Sequence, residues 1–97
     1  MIKSFANRGT EDIWHGEDTK AARKACDPSI WPVAHRTLDY LNRATSLEDL
    51  RKPPANKLHA LKEDRAGQHA IRINDKYRVC FRWDGQNAHD VAVTDYH

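Results

Sequence analysis

The hydrophobic residues of this chain change their spacing after residue 56, and this change restricts the possible folds more than any other feature of the sequence. Between residues 29 and 45, apolar side chains recur at intervals of three and four, which predicts an amphipathic helix. After residue 56, apolar and polar side chains alternate, as in a half-buried β-strand. The sequence therefore predicts an α+β fold in which N-terminal helices pack on one face of an antiparallel β-sheet.

Turn-forming residues divide the alternating region into four predicted strands. Gly67, Asn74-Asp75 and Asp84-Gly85 separate the strands, because Gly, Asn and Asp accept the backbone angles of tight turns. The strands are predicted at residues 57–62, 69–74, 77–83 and 89–96, after a short strand at 1–5 in which Ile2 and Phe5 face inward. Short connections between consecutive strands indicate an antiparallel meander.

The segment before the sheet is predicted to be helical, with interruptions. Helix-capping residues at 7–10 predict a first helix through residue 16, which residues 17–27 can extend as a second segment. Pro28 ends that segment, because the residue before a proline is pushed away from helical backbone angles. The sequence SLEDLRKPPAN at 46–56 predicts a short capped turn that links the helices to the sheet.

Cationic side chains are concentrated in the predicted sheet. Residues 51–82 contain nine Lys or Arg against three Asp or Glu, whereas residues 1–50 contain seven against eight. Alternation along the third strand places Arg78 and Arg82 on one face and the aromatic residues on the other, and Arg72 is expected beside them on the neighbouring strand. Such a face suits a polyanion such as RNA, and it is equally typical of a solvated surface with scattered cations.

Composition favours one globular domain over residues 1–97, located in the cytoplasm. Cys26 and Cys80 lie far apart without metal-ligand spacing, which favours reduced thiols. The six histidines are scattered, so no metal site is predicted. The first residues lack the apolar segment of a signal peptide, and no stretch approaches the roughly 20 apolar residues of a membrane span, so no membrane contact is expected.

Proton-transfer side chains are predicted at the edges of the positive face: His59 in the first strand of the meander, and Tyr96 and His97 at the end of the last. RNA self-cleavage requires a base for the 2′-hydroxyl proton, cations on the phosphate oxygens and an acid for the leaving 5′-oxygen. Because the sequence ends at His97, we expect the terminus itself to be part of the site. The alternatives are a solvated histidine, a frayed end, and arginines that pair with Asp90 or Asp95.

The sequence resembles a known family over nearly its whole length. The run SLEDLRKPPANKLHALKEDRAGQHAIRINDKYRVCFRW at 46–83, with VTDYH at 93–97 and MIKSF at 1–5, is similar to the HigB branch of the RelE/ParE toxins of bacterial type II toxin-antitoxin systems. The resemblance implies helices on an antiparallel sheet, ribosome-dependent cleavage of messenger RNA without a metal or cofactor, and neutralisation by a HigA-like helix-turn-helix antitoxin. Contact with operator DNA is then expected only through the antitoxin.

Matched residue by residue, the resemblance implies five catalytic residues, which are His59, Arg78, Asp95, Tyr96 and His97. Together with the charge pattern it predicts a set of cations that bind RNA or the ribosome, which are Lys57, Lys62, Arg65, Arg72, Lys76 and Arg82. The chain departs from the family at Glu63, where a glycine is common, at His69, where an aromatic residue is common, and in the divergent segment 15–31. Glu63 adds a negative charge beside Lys62, and the divergent segment leaves the antitoxin contacts unassigned.

The sequence alone leaves two other functions open. A gyrase inhibitor of the ParE type shares the fold but does not need His59, Tyr96 and His97 together, so their presence favours the ribonuclease. A non-catalytic regulatory module of the same fold is disfavoured, though not excluded, by the intact cationic, histidine and tyrosine residues.

Overall fold

The structure is a computed structural model that describes residues 1–52 and 56–95. Within these ranges, four α-helices precede a four-stranded sheet, and a 3₁₀ turn lies before α3 and another after β1. The elements are α1 (Arg8–Trp14), α2 (Lys20–Ala25), a 3₁₀ turn (Pro28–Ile30), α3 (Trp31–Arg43), α4 (Leu47–Arg51), β1 (His59–Ala60), a 3₁₀ turn (Glu63–Arg65), β2 (Gln68–Arg72), β3 (Tyr77–Trp83) and β4 (Ala88–Asp95). The predicted fold class, helices packed on an antiparallel sheet, is confirmed.

Capping side chains set the helix starts. The Asn7 side chain accepts a hydrogen bond from the backbone N–H of Thr10 at the start of α1, and Thr19 does the same for α2. Residues 17–27 therefore contain a separate short helix rather than an extension of α1. Ser46 and Asp49 form a capping box at the start of α4, in the segment predicted as a capped turn. The predicted helix over residues 29–45 is shorter: it begins after the 3₁₀ turn and ends at Arg43.

The sheet has the order β1-β2-β3-β4, with every neighbouring pair antiparallel, so the predicted meander is confirmed. The strand predicted over 57–62 is present but shorter, because β1 contains only two residues. Lys57 and Glu63 have positive φ angles of 46° and 57°, and a left-handed residue cannot continue an extended strand. The strand predicted at 1–5 is wrong. That segment makes only two isolated parallel bridges to β4, from Ile2 and Phe5.

The hydrophobic core lies between the helices and one face of the sheet. Leu38 and Leu41 of α3 are fully buried against this face, where Val79, Phe81 and Val91 are also inaccessible. The helices themselves pack closely, since a Cβ atom added at Gly9 would lie 2.4 Å from the carbonyl oxygen of Ala21. Burial of this apolar surface is the main favourable term that holds the helical layer on the sheet.

A β-bulge interrupts the pairing of β3 with β4. Cys80 pairs with Ala92, whereas Arg82 pairs with His89, so two residues of β4 lie opposite Phe81. Asp90 occupies the bulge with a φ of 51°, and its backbone N–H donates to the Ser4 hydroxyl. The bulge keeps His89 and Ala92 on the same face of the sheet although they are three positions apart.

In the described ranges, no helix has the length and apolarity needed to cross a membrane.

Candidate active site

The sheet face that does not carry the core displays the predicted arginines, and we call it the arginine face. Arg72 of β2 pairs directly with Arg78 of β3, and Arg78 pairs on its other side with Thr94 of β4. The next row along the strands contains the small residues Ala70, Cys80 and Ala92. The alignment of Arg72 with Arg78 agrees with the sequence prediction.

Arg82 does not join this pair. Its partners in the register are Gln68 and His89, two rows away from Arg72 and Arg78, so the face carries cations on both sides of the row of small residues. Positive charge on both sides of this row suits an extended phosphate backbone better than a compact ligand.

His59 lies at the edge of the arginine face, opposite Ala70 in the register of β1 and β2. Its Nδ1 atom is 3.0 Å from the carbonyl oxygen of Lys57. A carbonyl oxygen can only accept a hydrogen bond, so Nδ1 carries a proton and Nε2 of the neutral ring retains a lone pair. The imidazole is exposed, and its Nε2 is thereby prepared to accept a proton.

The register also fixes the separation of His59 from the arginine pair. Arg78 lies two strands and two residues away from His59. Strand spacings of about 4.8 Å and a rise of about 3.4 Å per residue place their Cα atoms about 12 Å apart.

Three of the predicted RNA-binding cations have carboxylate partners. Arg72 forms an ion pair with Asp75, Arg82 Nε lies 3.4 Å from Asp90 Oδ2, and Lys76 Nζ lies 4.0 Å from Asp95 Oδ2. The alternative raised from the sequence, that arginines pair with Asp90 or Asp95, is therefore correct for Arg82. The positive charge of the arginine face is smaller than the count of its arginines suggests.

The other three predicted cations surround β1. Lys57 precedes the strand, and Lys62 and Arg65 lie in the connection from β1 to β2, where all three side chains are exposed. Within residues 1–52 and 56–95 none of the three is in a salt bridge. They extend the positive surface beyond His59 at the edge of the sheet.

The structure separates Asp95 from the arginine row. Asp95 pairs with Tyr77, whose ring belongs to the core side of the sheet, whereas Thr94 is the β4 residue beside Arg78. The Asp95 carboxylate reaches Lys76 at the strand end. Tyr96 and His97, the other two members of the predicted terminal triplet, lie outside the described residues.

Sequence reasoning missed an imidazole-carboxylate pair on the same face. His89 Nε2 lies 2.7 Å from Asp84 Oδ2, and the other oxygen of Asp84 accepts from the backbone N–H groups of Gln86 and Asn87. These bonds, above all the one from His89, lower the pKa of Asp84 to about 2. Asp84 and His89 thus organise the turn between β3 and β4, and only the register could have revealed that they share a face with Arg82.

Open grooves of about 310–430 Å³ occur on the helical side of the molecule. One lies along α3 and α4 between Arg36, Tyr40 and Lys52, and another lies between the end of α1 and the start of α3 beside Trp31. In the part of the chain that the structure describes, no group of three or more His, Cys, Asp or Glu side chains is arranged to hold a metal ion.

Comparison with known proteins identifies the family. Residues 3–97 match the model of the HigB-like toxin family, described as the RelE-like toxin of type II toxin-antitoxin system HigB. Toxin HigB-1 of Vibrio cholerae serotype O1 is 34% identical over 97 residues, covering 99% of this chain and 94% of that protein. Endoribonuclease HigB of Proteus vulgaris is 27% identical over 97 residues and is covered completely.

Solved structures show the same fold at lower identity. The YoeB-YefM complex from Staphylococcus aureus contains a chain that matches with a TM-score of 0.60 at 16% identity, covering all of this chain and 98% of the other. YafQ from E. coli strain BL21(DE3) matches with a TM-score of 0.56 at 11% identity, covering 99% and 94%. These likenesses establish the arrangement of helices and sheet.

Proposed function

The chain belongs to the HigB-like toxins of type II toxin-antitoxin systems, and on this premise we propose that its arginine face is the catalytic surface of a ribosome-dependent messenger RNA endoribonuclease. The Proteus vulgaris relative carries the name endoribonuclease, which makes RNA cleavage the activity to test first. The observation that carries the proposal is the placement of His59, with Nε2 able to accept a proton, on the same sheet face as the Arg72–Arg78 pair.

The proposed reaction is a transfer of the phosphate within the RNA chain. A base removes the proton of the 2′-hydroxyl, the 2′-oxygen bonds to the neighbouring phosphorus, and the bond from phosphorus to the 5′-oxygen breaks. An acid gives a proton to that 5′-oxygen, so the products carry a 2′,3′-cyclic phosphate and a 5′-hydroxyl. No oxidant, metal ion or cofactor is needed to balance this step.

The positions of His59 and Arg78 support a role for each. His59 serves as a proton-transfer group, because its Nδ1 is fixed by the Lys57 carbonyl and Nε2 is left to the substrate. Arg78 stabilises the negative charge that develops on the phosphate oxygens, with Arg72 beside it. By resemblance to the family, Asp95, Tyr96 and His97 complete the set, and either Tyr96 or His97 supplies the second proton-transfer group.

The side chains of the face support dependence on the ribosome. The centre of the arginine face is a row of small residues, of which Ala70 and Cys80 are buried, and it offers few groups that read base edges. A site with few such groups orients its substrate poorly by itself. A ribosome that holds the messenger in place would position the RNA for cleavage. Lys57, Lys62 and Arg65 are proposed as contacts to RNA or the ribosome at the edge of the sheet.

The family also supports a protein partner. Toxins of type II toxin-antitoxin systems pair with an antitoxin, and the matched Staphylococcus aureus structure is a complex of YoeB with YefM. We propose that the partner here is a HigA-like helix-turn-helix protein, that operator DNA is contacted only through it, and that the toxin acts in the cytoplasm.

The test is a reconstituted translation reaction with a labelled messenger, run with and without ribosomes. We expect cleavage only while ribosomes translate the messenger. Efficient cutting of naked RNA at the same toxin concentration would contradict ribosome dependence. A separate assay measures DNA supercoiling by gyrase in the presence of the toxin. If the messenger stays intact and supercoiling is inhibited, the ParE-like function is correct and the ribonuclease proposal is wrong.

A further inference from the structure

The arginine pair creates an electrostatic problem for the sheet. Arg72 and Arg78 lie directly opposite each other on neighbouring strands and on the same face, and like charges in this position repel each other. Asp75, in the turn between β2 and β3, forms an ion pair with Arg72 although 97% of its own side chain is exposed. The carboxylate therefore offsets the repulsion from a position at the rim of the face.

The second cationic end of the face has the same arrangement. Arg82 lies opposite His89, and the β-bulge places Asp90 where its Oδ2 is 3.4 Å from Arg82 Nε. The Asp90 side chain is 55% exposed and the Arg82 side chain 51% exposed, so both remain accessible to a ligand. Arg72 and Arg82 thus each have a carboxylate of their own, supplied by a turn in one case and a bulge in the other.

We propose that Asp75 and Asp90 are counterions that limit the affinity of the arginine face for RNA outside the ribosome. A phosphate that approaches Arg72 or Arg82 must share the guanidinium with a carboxylate or displace it, so each pair weakens the attraction of free RNA to the face. On the ribosome the messenger is already held, and the loss of attraction matters less. This inference rests on the proposed function and adds to it a built-in discrimination against free RNA.

The experiment measures binding separately from cleavage. The probe is a short fluorescein-labelled single-stranded RNA whose 2′-hydroxyls are methylated, because such an RNA cannot undergo the proposed attack. Its dissociation constant is measured by fluorescence anisotropy at low salt and at about 150 mM salt, where exposed charges are strongly screened. The proteins are the wild type, Asp75→Asn, Asp90→Asn and the control Asp39→Asn.

Asp39→Asn is a matched control, because Asp39 forms an exposed ion pair with Arg43 on α3 at 3.2 Å. It changes the net charge by the same amount as the test substitutions but lies on the helical side of the molecule. We expect Asp75→Asn and Asp90→Asn each to tighten RNA binding about two- to fivefold at low salt, and the gain to shrink at the higher salt. The control should shift binding by clearly less.

Two results would overturn the inference. Equal tightening by all three variants would mean that only the total charge matters, and unchanged or weaker binding by Asp75→Asn and Asp90→Asn would mean that the carboxylates do not compete with RNA. If Asp75→Asn does not fold, Asp90→Asn decides the question alone. Cleavage of messenger by the wild type during translation is measured in parallel. If the wild type cleaves but the RNA-binding results go against the inference, only the inference fails; if the wild type does not cleave, the proposed function fails.

Discussion

Replacement of His59 by glutamine should abolish most of the catalytic activity while leaving the fold intact. The imidazole is exposed, and its hydrogen bond to the Lys57 carbonyl oxygen is local to the chain. A glutamine amide N–H can donate a similar bond, but the amide cannot take up or release a proton near neutral pH. The substitution thus removes proton transfer and little else.

The magnitudes of the two effects differ enough to separate them. Loss of a general acid or base costs about 10²- to 10⁴-fold in rate, which is about 3–5 kcal/mol of transition-state stabilisation. Loss of an exposed hydrogen bond costs at most about 0.5–1 kcal/mol of folding free energy, and retention of the bond by glutamine makes the cost smaller. For a domain of this size that is a fall in Tm of only a few degrees.

The assay compares initial rates of messenger cleavage in the reconstituted translation reaction, with Tm measured on the same preparations. His15→Gln is the matched control, because His15 is also exposed but lies at the end of α1 next to Glu11, on the helical side. We expect His15→Gln to keep the wild-type rate. If His59→Gln retains a rate within about tenfold of wild type while folded, His59 is not a proton-transfer group.

Three further substitutions test the structural account by thermal or chemical unfolding. Glu63→Gly should raise the free energy of unfolding by about 0.5–1 kcal/mol, because the φ angle of 57° suits glycine. Gly9→Ala should lower it by about 1–3 kcal/mol, because the new methyl group meets Ala21 and Ala25 at 2.4 and 2.8 Å. Burial lowers the pKa of His69, and its Nδ1 is buried without a hydrogen-bond partner among the described residues. The wild type should therefore lose stability as pH falls below about 6.5, where the unfolded state takes up the proton first, and His69→Phe should remove that loss.

Local pattern was sufficient to predict the faces of the central strands. Alternation along β2 and β3 requires only that both segments be extended, and it correctly placed Arg72 and Arg78 together on the face opposite the core. The change of hydrophobic period similarly predicted which part of the chain is helical and which forms the sheet. The face of a strand residue and the type of a segment depend on residues that are close in sequence, so both can be predicted from the sequence alone.

Backbone features and tertiary register could not be predicted in the same way. Lys57, Glu63 and Asp90 adopt positive φ angles without being glycine, and these angles shorten β1 and produce the bulge in β4. The orientation of His59 depends on the Lys57 carbonyl, which such an angle helps to place. The position of Asp95 across from Tyr77 depends on the count of paired residues after the bulge, which no local motif encodes.

The most direct test of the arginine face as an RNA-cleaving surface is the mapping of messenger ends during translation, with wild type compared with Arg78→Ala. We expect wild-type toxin to produce cuts within ribosome-bound messenger, with 2′,3′-cyclic phosphate and 5′-hydroxyl ends. Arg78→Ala should remain folded and cut at least about 10²-fold more slowly, since it lacks one donor to the transition-state charge. Ends with a free 3′-hydroxyl, or equal cutting by wild type and the folded variant, would contradict the proposed role of this face.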